Sequence, residues 1–189
     1  MSFIRSIKDP KMKRAILLAG LITATSAQAE IVPDALQDIK AVQFNSANVI
    51  TSGLPNEAQF ETLQQAGVDL VINLIPDGNS SGHGDEASLV EAAGMIYESI
   101  SVDWKKPSIE DVEQFFSIMN TNRDKDILVH CAANYRASAF YYLYQATQLK
   151  QDSEQQKQLT LTPWGDLESS LKEYPQWQVL IEQVKAKYQ

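Results

Sequence analysis

One cysteine occurs among the 189 residues, Cys131, and an arginine, Arg136, follows five positions on in VHCAANYRASAF, Val129 to Phe140. A thiol and a guanidinium at this spacing suit chemistry on an oxyanion. The thiolate is a nucleophile. The planar guanidinium grips two oxygens of a phosphate-like group at once. An apolar run, DILV, leads in and a helix-like run, SAFYYLYQATQ, leads out, so both residues belong to a tight loop between a strand and a helix. Ligands of parallel sheets bind at the carboxyl ends of strands. At the helix N-terminus beyond, free N–H groups and the helix dipole favour negative charge. That setting lowers a thiol pKa and makes an anion cradle. Ala132, Ala133 and Ala137 are small enough to let an anion approach the backbone. Asn134, Tyr135, Arg136 and Ser138 complete the expected cradle, with Ser138 placed to donate to a departing sulfur. His130 either tunes the thiol or satisfies nearby backbone.

Phosphoryl transfer to a thiolate also needs an acid for the leaving oxygen. Asp103, in SVDWKKP, is the candidate: it follows a strand and lies 28 residues before Cys131, about one helix and one strand away. His83, in a Gly/Ser loop, reads as solvated, and Asp85 and Glu86 read as serving the N-terminus of the next helix. Two histidines and one cysteine are too few and badly spaced for a metal site. Neither a metal nor another cofactor is expected.

The elements that must position these residues alternate. NVITSG (Asn48 to Gly53) reads as a first strand, and NEAQFETLQQAG as a helix capped by Asn56 and stopped at Gly67. VDLVINLI (Val68 to Ile75) is a near-continuous apolar run, as in a strand covered on both faces. PDGNSSGHGD (Pro76 to Asp85) is a loop by composition. DEASLVEAAG reads as a short helix with Gly94 past its end, and MIYESISV (Met95 to Val102) alternates like a strand. A helix follows from Ser108, its cap supported by Asp111. DILVH (Asp126 to His130) is the next buried strand, and the helix beyond the cysteine loop runs to about Leu149. Such alternation predicts an α/β domain: a mainly parallel central sheet with helices on both faces. After Gln151 the chain is polar, then helical near Trp164–Leu171 and Pro175–Lys187, so residues 152–189 read as a C-terminal helical extension. Trp177, Leu180, Ile181 and Val184 mark the apolar face of the last helix.

The N-terminus reads as a secretory signal. Lys13 and Arg14 supply the positive end, Ala15 to Ala24 a short apolar core, and Ala27-Gln28-Ala29 a small-residue cleavage site. Either Met1 or Met12 can serve as the start. Removal of residues 1–29 takes away five of 16 basic residues and one of 24 acidic ones, leaving 11 against 23, a net charge of −12. One domain, residues 30–189, is expected, exported to a periplasmic or secreted location. The negative charge argues against nucleic acid and anionic membrane as partners after cleavage. In an oxidising space a lone cysteine has no partner within the chain, so it is either buried and inert or kept for its thiol.

Three segments, TSGLPNEAQFETLQQAGVDLVINL, DEASLVEAAGMIYESISVD and VHCAANYRASAF, resemble the cysteine-dependent protein tyrosine and dual-specificity phosphatase superfamily. Within it, the chain is similar to a bacterial branch related to the phosphatase-like domain of beta-lactamase hydrolase-like proteins, over roughly Asn45 to Tyr144. The resemblance implies a phosphatase of the phosphotyrosine-protein-phosphatase fold, with Cys131 attacking phosphorus, Arg136 holding the phosphoryl oxygens and Asp103 as acid. The substrate would be a phosphorylated protein or small molecule. There is one departure. The superfamily usually places five residues between cysteine and arginine, and here there are four, Ala132 to Tyr135. Asn134 replaces the usual mid-loop glycine, Ala137 occupies the usual arginine slot, and Ser138 falls where the usual Ser/Thr lies. The shorter spacing resembles rhodanese-type sulfurtransferases, in which the cysteine carries a persulfide. The upstream SVD segment with its acid matches the phosphatase arrangement instead. A non-catalytic phosphate- or sulfate-binding module is the third reading.

Overall fold

Four short parallel strands and one antiparallel edge strand form the sheet of this computed structural model, which describes residues 31–188. The segment read as a signal, residues 1–29, lies outside the described residues. The strands are β1 (Gln43–Phe44), β2 (Val49–Ser52), β3 (Leu70–Asn73), β4 (Ile96–Ser99) and β5 (Ile127–His130), in the order β1-β2-β5-β3-β4. β5 pairs in parallel with β2 on one side and β3 on the other, so His130 lies level with Ser52 and Asn73. β1, which pairs antiparallel with β2, was not legible in the sequence: two residues show no alternation. Its register sets Gln43 opposite Thr51, and the first strand read from the sequence is therefore the second in the chain.

Helices α1 (Glu57–Gln65), α2 (Glu86–Ala92), α3 (Ile109–Thr121) and α4 (Tyr135–Thr147) follow β2, β3, β4 and β5 in turn. Their ends obey the local signals. Asn56 and Gln59 form a reciprocal capping box on α1, and Ser108 and Asp111 form another on α3. Gly67 and Gly94 follow α1 and α2 at φ of 103° and 89°, where a side chain would be strained. The chain passes from β2 to β3 and on to β4 over one face, then returns to the central β5 over the other. Ile50, Val71 and Leu128 accordingly pack with Phe60 and Leu63 of α1 and Val90 of α2. The alternate residues Val49, Leu70, Ile72, Ile127 and Val129 pack with α3 and α4. Helices on both faces of a mainly parallel sheet are what the periodicity predicts.

α4 is buried along all but its first residue, so it shows no apolar stripe. The stretch after Gln151, read as polar, forms α5 (Glu154–Thr160), capped by Ser153. α6 (Leu167–Glu173) and α7 (Pro175–Tyr188) follow. Trp177, Leu180, Ile181 and Val184 of α7 are all buried in the core around α4, as their spacing requires. Among the described residues, no helix is long and apolar enough to cross a membrane.

Candidate active site

The cysteine loop begins where β5 ends. Cys131 is buried, and its N–H donates to Ser52 O at 3.2 Å, which continues the β2–β5 ladder by one step. The chain then turns through Asn134, which adopts the left-handed conformation at φ 65°, ψ 7° and occupies the N-cap of α4. Asparagine tolerates this region, so it replaces glycine here without breaking the turn. Its Nδ2 donates to Ala41 O at 2.7 Å, while its buried Oδ1 has no partner among the described residues. The N–H groups of Ala132, Ala133, Tyr135 and Arg136 donate no hydrogen bond to any described residue. They are a run of unused donors at the start of a thirteen-residue helix.

Arg136 lies in the first turn of α4 and is only 8% exposed. It forms no ion pair among the described residues, and its buried Nε has no hydrogen-bond partner. The Trp104 ring flanks it, with its centroid 5.8 Å from the guanidinium carbon. A buried guanidinium without a carboxylate is costly unless an anion completes it. Ala137, in the usual arginine slot, is fully buried and offers no polar side chain. Ser138 Oγ faces Asn134 O at 2.6 Å and Tyr135 O at 3.1 Å. Its hydroxyl is thus spent on helix carbonyls, and the donation to sulfur expected from the sequence has no counterpart in this geometry.

Asp103 is exposed, and its Oδ1 accepts from Lys105 N–H at 2.8 Å, a turn that fixes the carboxylate on its loop. The next residue ties that loop to the cysteine loop. The Trp104 ring lies 5.9 Å from that of Tyr135, 5.8 Å from Trp164 and 5.1 Å from Trp177. Its carbonyl accepts from Gln176 Nε2 and Trp177 Nε1, each at 3.1 Å. The structure so brings the Asp103 loop against the Cys131–Arg136 loop, braced from behind by α7. The sequence showed Trp177 only as an apolar position on that helix.

His130 points to the opposite face from Cys131, as alternation along β5 requires. Its Nε2 is hydrogen-bonded to Glu86 Oε1 at 2.8 Å, and both side chains are buried. Glu86 is therefore not simply a charge at the start of α2. Nothing in the sequence signals this pair, whose members are 44 positions apart. His83 also departs from its expected solvation: it is half-buried, and its Nε2 donates to Pro55 O at 2.8 Å. Among the described residues, no cluster of three or more His, Cys, Asp or Glu side chains is placed to hold a metal.

No family model matches the sequence. A beta-lactamase hydrolase-like protein of Xylella fastidiosa is 32% identical over 108 residues, 56% of this chain and 25% of that protein. One from Agrobacterium fabrum is 32% identical over 111 residues, again 25% of its length. The chain matches only about a quarter of these curated relatives. A solved Shewanella putrefaciens structure, a candidate phosphatase designated DUF442, is 50% identical, with 83% of this chain and 99% of that one covered and a TM-score of 0.76. Pseudomonas aeruginosa TpbA, solved in complex with phosphotyrosine, is 16% identical with a TM-score of 0.60, a likeness of fold alone. The fold is that of the protein tyrosine and dual-specificity phosphatases, and the chain belongs to the DUF442 family of candidate phosphatases.

Proposed function

We propose that this DUF442 family member hydrolyses phosphate monoesters through a phosphocysteine intermediate. The observation that carries the reading is Arg136: a buried, unpaired guanidinium beside a run of unused helix N-terminal amides, five residues after a cysteine. The arrangement supplies an anion cradle with a nucleophile at its base. In the first step the Cys131 thiolate attacks phosphorus, and Asp103 gives its proton to the leaving oxygen as the phosphorus–oxygen bond breaks. In the second, water attacks the phosphocysteine and Asp103 takes its proton. Phosphate departs and the thiolate is restored. Arg136 and the loop N–H groups hold the equatorial oxygens, where the transition-state charge lies. The aromatic bracing of Trp104 fixes the acid's loop. No metal enters any step. Export to a periplasmic or secreted location remains part of the proposal, and N-terminal sequencing of the chain from a producing cell checks it: the first residue is expected to be Glu30.

The test is phosphate release from an aryl phosphate by the purified chain, reduced and metal-free, beside Cys131→Ser. Transfer of sulfur from thiosulfate to cyanide is assayed on the same samples. Phosphate release that falls by about 10⁴ or more in Cys131→Ser supports the proposal, since loss of a nucleophile removes the covalent route. Asp103→Asn is then expected to cost about 10² or more, the scale of general-acid catalysis. Thiocyanate without phosphate assigns the chain to the sulfurtransferases. Tight phosphate binding with neither product leaves a binding module.

A further inference from the structure

A positively charged side chain from the N-terminal segment is fastened to the outside of the cysteine loop. Lys40 Nζ donates to Ala132 O at 2.8 Å, across 92 positions of sequence. Two further bonds hold the same segment in place: Gly53 N–H donates to Lys40 O at 2.7 Å, and Asn134 Nδ2 donates to Ala41 O at 2.7 Å. Ala41 itself sits at φ 49°, a left-handed conformation that is strained for alanine and persists because these bonds impose it. A Cβ on Gly53 would come within 3.0 Å of the Lys40 stem and 3.1 Å of its carbonyl oxygen, so Gly53 makes room for the lysine.

The consequence follows from the planar peptide. In a trans peptide the C=O and the next N–H point in opposite directions. Lys40, with Leu54 N–H at 3.5 Å on the same oxygen, pulls the Ala132 carbonyl outward. The Ala133 N–H then points away from Lys40, and it donates to no described residue. An ammonium on the carbonyl also polarises the amide, which makes its N–H a stronger donor. We infer that Lys40 is a positioning residue of the anion cradle: it orients and charges the Ala132–Ala133 peptide, so that four residues between Cys131 and Arg136 suffice to bind a tetrahedral oxyanion. The inference rests on the phosphoryl-transfer reading and extends it to a residue outside the loop. Lys40 is exposed, so the same cation also raises the local potential at a rim otherwise set in a strongly acidic chain.

The experiment compares the wild-type chain with Lys40→Met and Lys40→Arg. Binding of inorganic phosphate and of tungstate is measured by calorimetry, and kcat and KM are measured on an aryl phosphate. Lys40→Met is expected to weaken both oxyanions by about tenfold, the scale of one charge-assisted hydrogen bond. Its kcat should fall by a similar factor and its melting temperature should hold. Lys40→Arg, which keeps a charged donor, should recover most of the loss. Unchanged oxyanion binding in Lys40→Met overturns the inference, because the lysine is then a surface contact alone. A loss that Lys40→Arg does not recover and that follows the melting temperature also overturns it. If wild type binds neither oxyanion and releases no phosphate, the phosphoryl reading falls and the inference with it. If wild type binds and Lys40→Met binds equally, only the inference falls.

Discussion

Two buried ionisable sites flank Cys131, and they are wired in opposite ways. On the α1/α2 face of the sheet, His130 meets Glu86 at 2.8 Å, and each side chain is sealed from solvent. On the other side of the loop, Arg136 is nearly as buried and has no acidic partner among the described residues. The His130–Glu86 contact satisfies one atom on each partner and leaves His130 Nδ1 and Glu86 Oε2 without a partner among the described residues, and removal of one member strands the other. A buried charge without its counterpart is unfinished, and it is tolerated where a ligand supplies the missing half. The contrast predicts opposite responses to substitution: loss of stability at the hydrogen-bonded pair, and loss of turnover at Arg136.

The largest effect should come from Arg136→Met. It keeps much of the apolar stem and removes the charge. Turnover of an aryl phosphate is expected to fall by about 10³, near the upper range for one oxyanion donor. Its urea unfolding midpoint should be unchanged or higher, because an uncompensated buried charge is gone. If this variant unfolds as readily as one lacking Glu86, Arg136 has a structural partner and the contrast collapses. Glu86→Leu should do the reverse. It leaves His130 buried without its acceptor and should cost about 3 kcal/mol in urea unfolding. A cost near zero would show that the pair is dispensable.

Smaller effects lie at the rim. Gly53→Ala should cost about 1–2 kcal/mol in thermal unfolding, since its methyl group meets the backbone oxygen of Lys40 as well as its side chain. Gln176→Ala removes one of two donors to the Trp104 carbonyl and should cost about 1 kcal/mol. A cost of several kcal/mol in Gln176→Ala would mean that Trp177 Nε1 does not hold the loop of Asp103 and Trp104 alone.

Much of this was legible in the chain. Asn56, Ser108, Gly67 and Gly94 marked helix ends because caps and stops are local: the partner of each is within a few positions. Asn134 was readable as the turn residue for the same reason. Cys131 and Arg136 were readable as a pair because one loop carries both. β1 and α5 were missed. One is too short for a period, and the other is polar on most of its surface and gains its register from contact with α4.

The sequence by itself determined the alternation of the four parallel strands with the helices between them, the cysteine loop and its residue types, since these depend on neighbours along the chain. Tertiary structure alone decided what surrounds that loop. Glu86 reaches His130 across 44 positions, Lys40 reaches Ala132 across 92, and Trp177 reaches Trp104 across 73. No local preference encodes such pairings. They form only once the sheet order has set β5 between β2 and β3, because that placement gathers the ends of separate strands, and the segments that follow them, around one carboxyl edge.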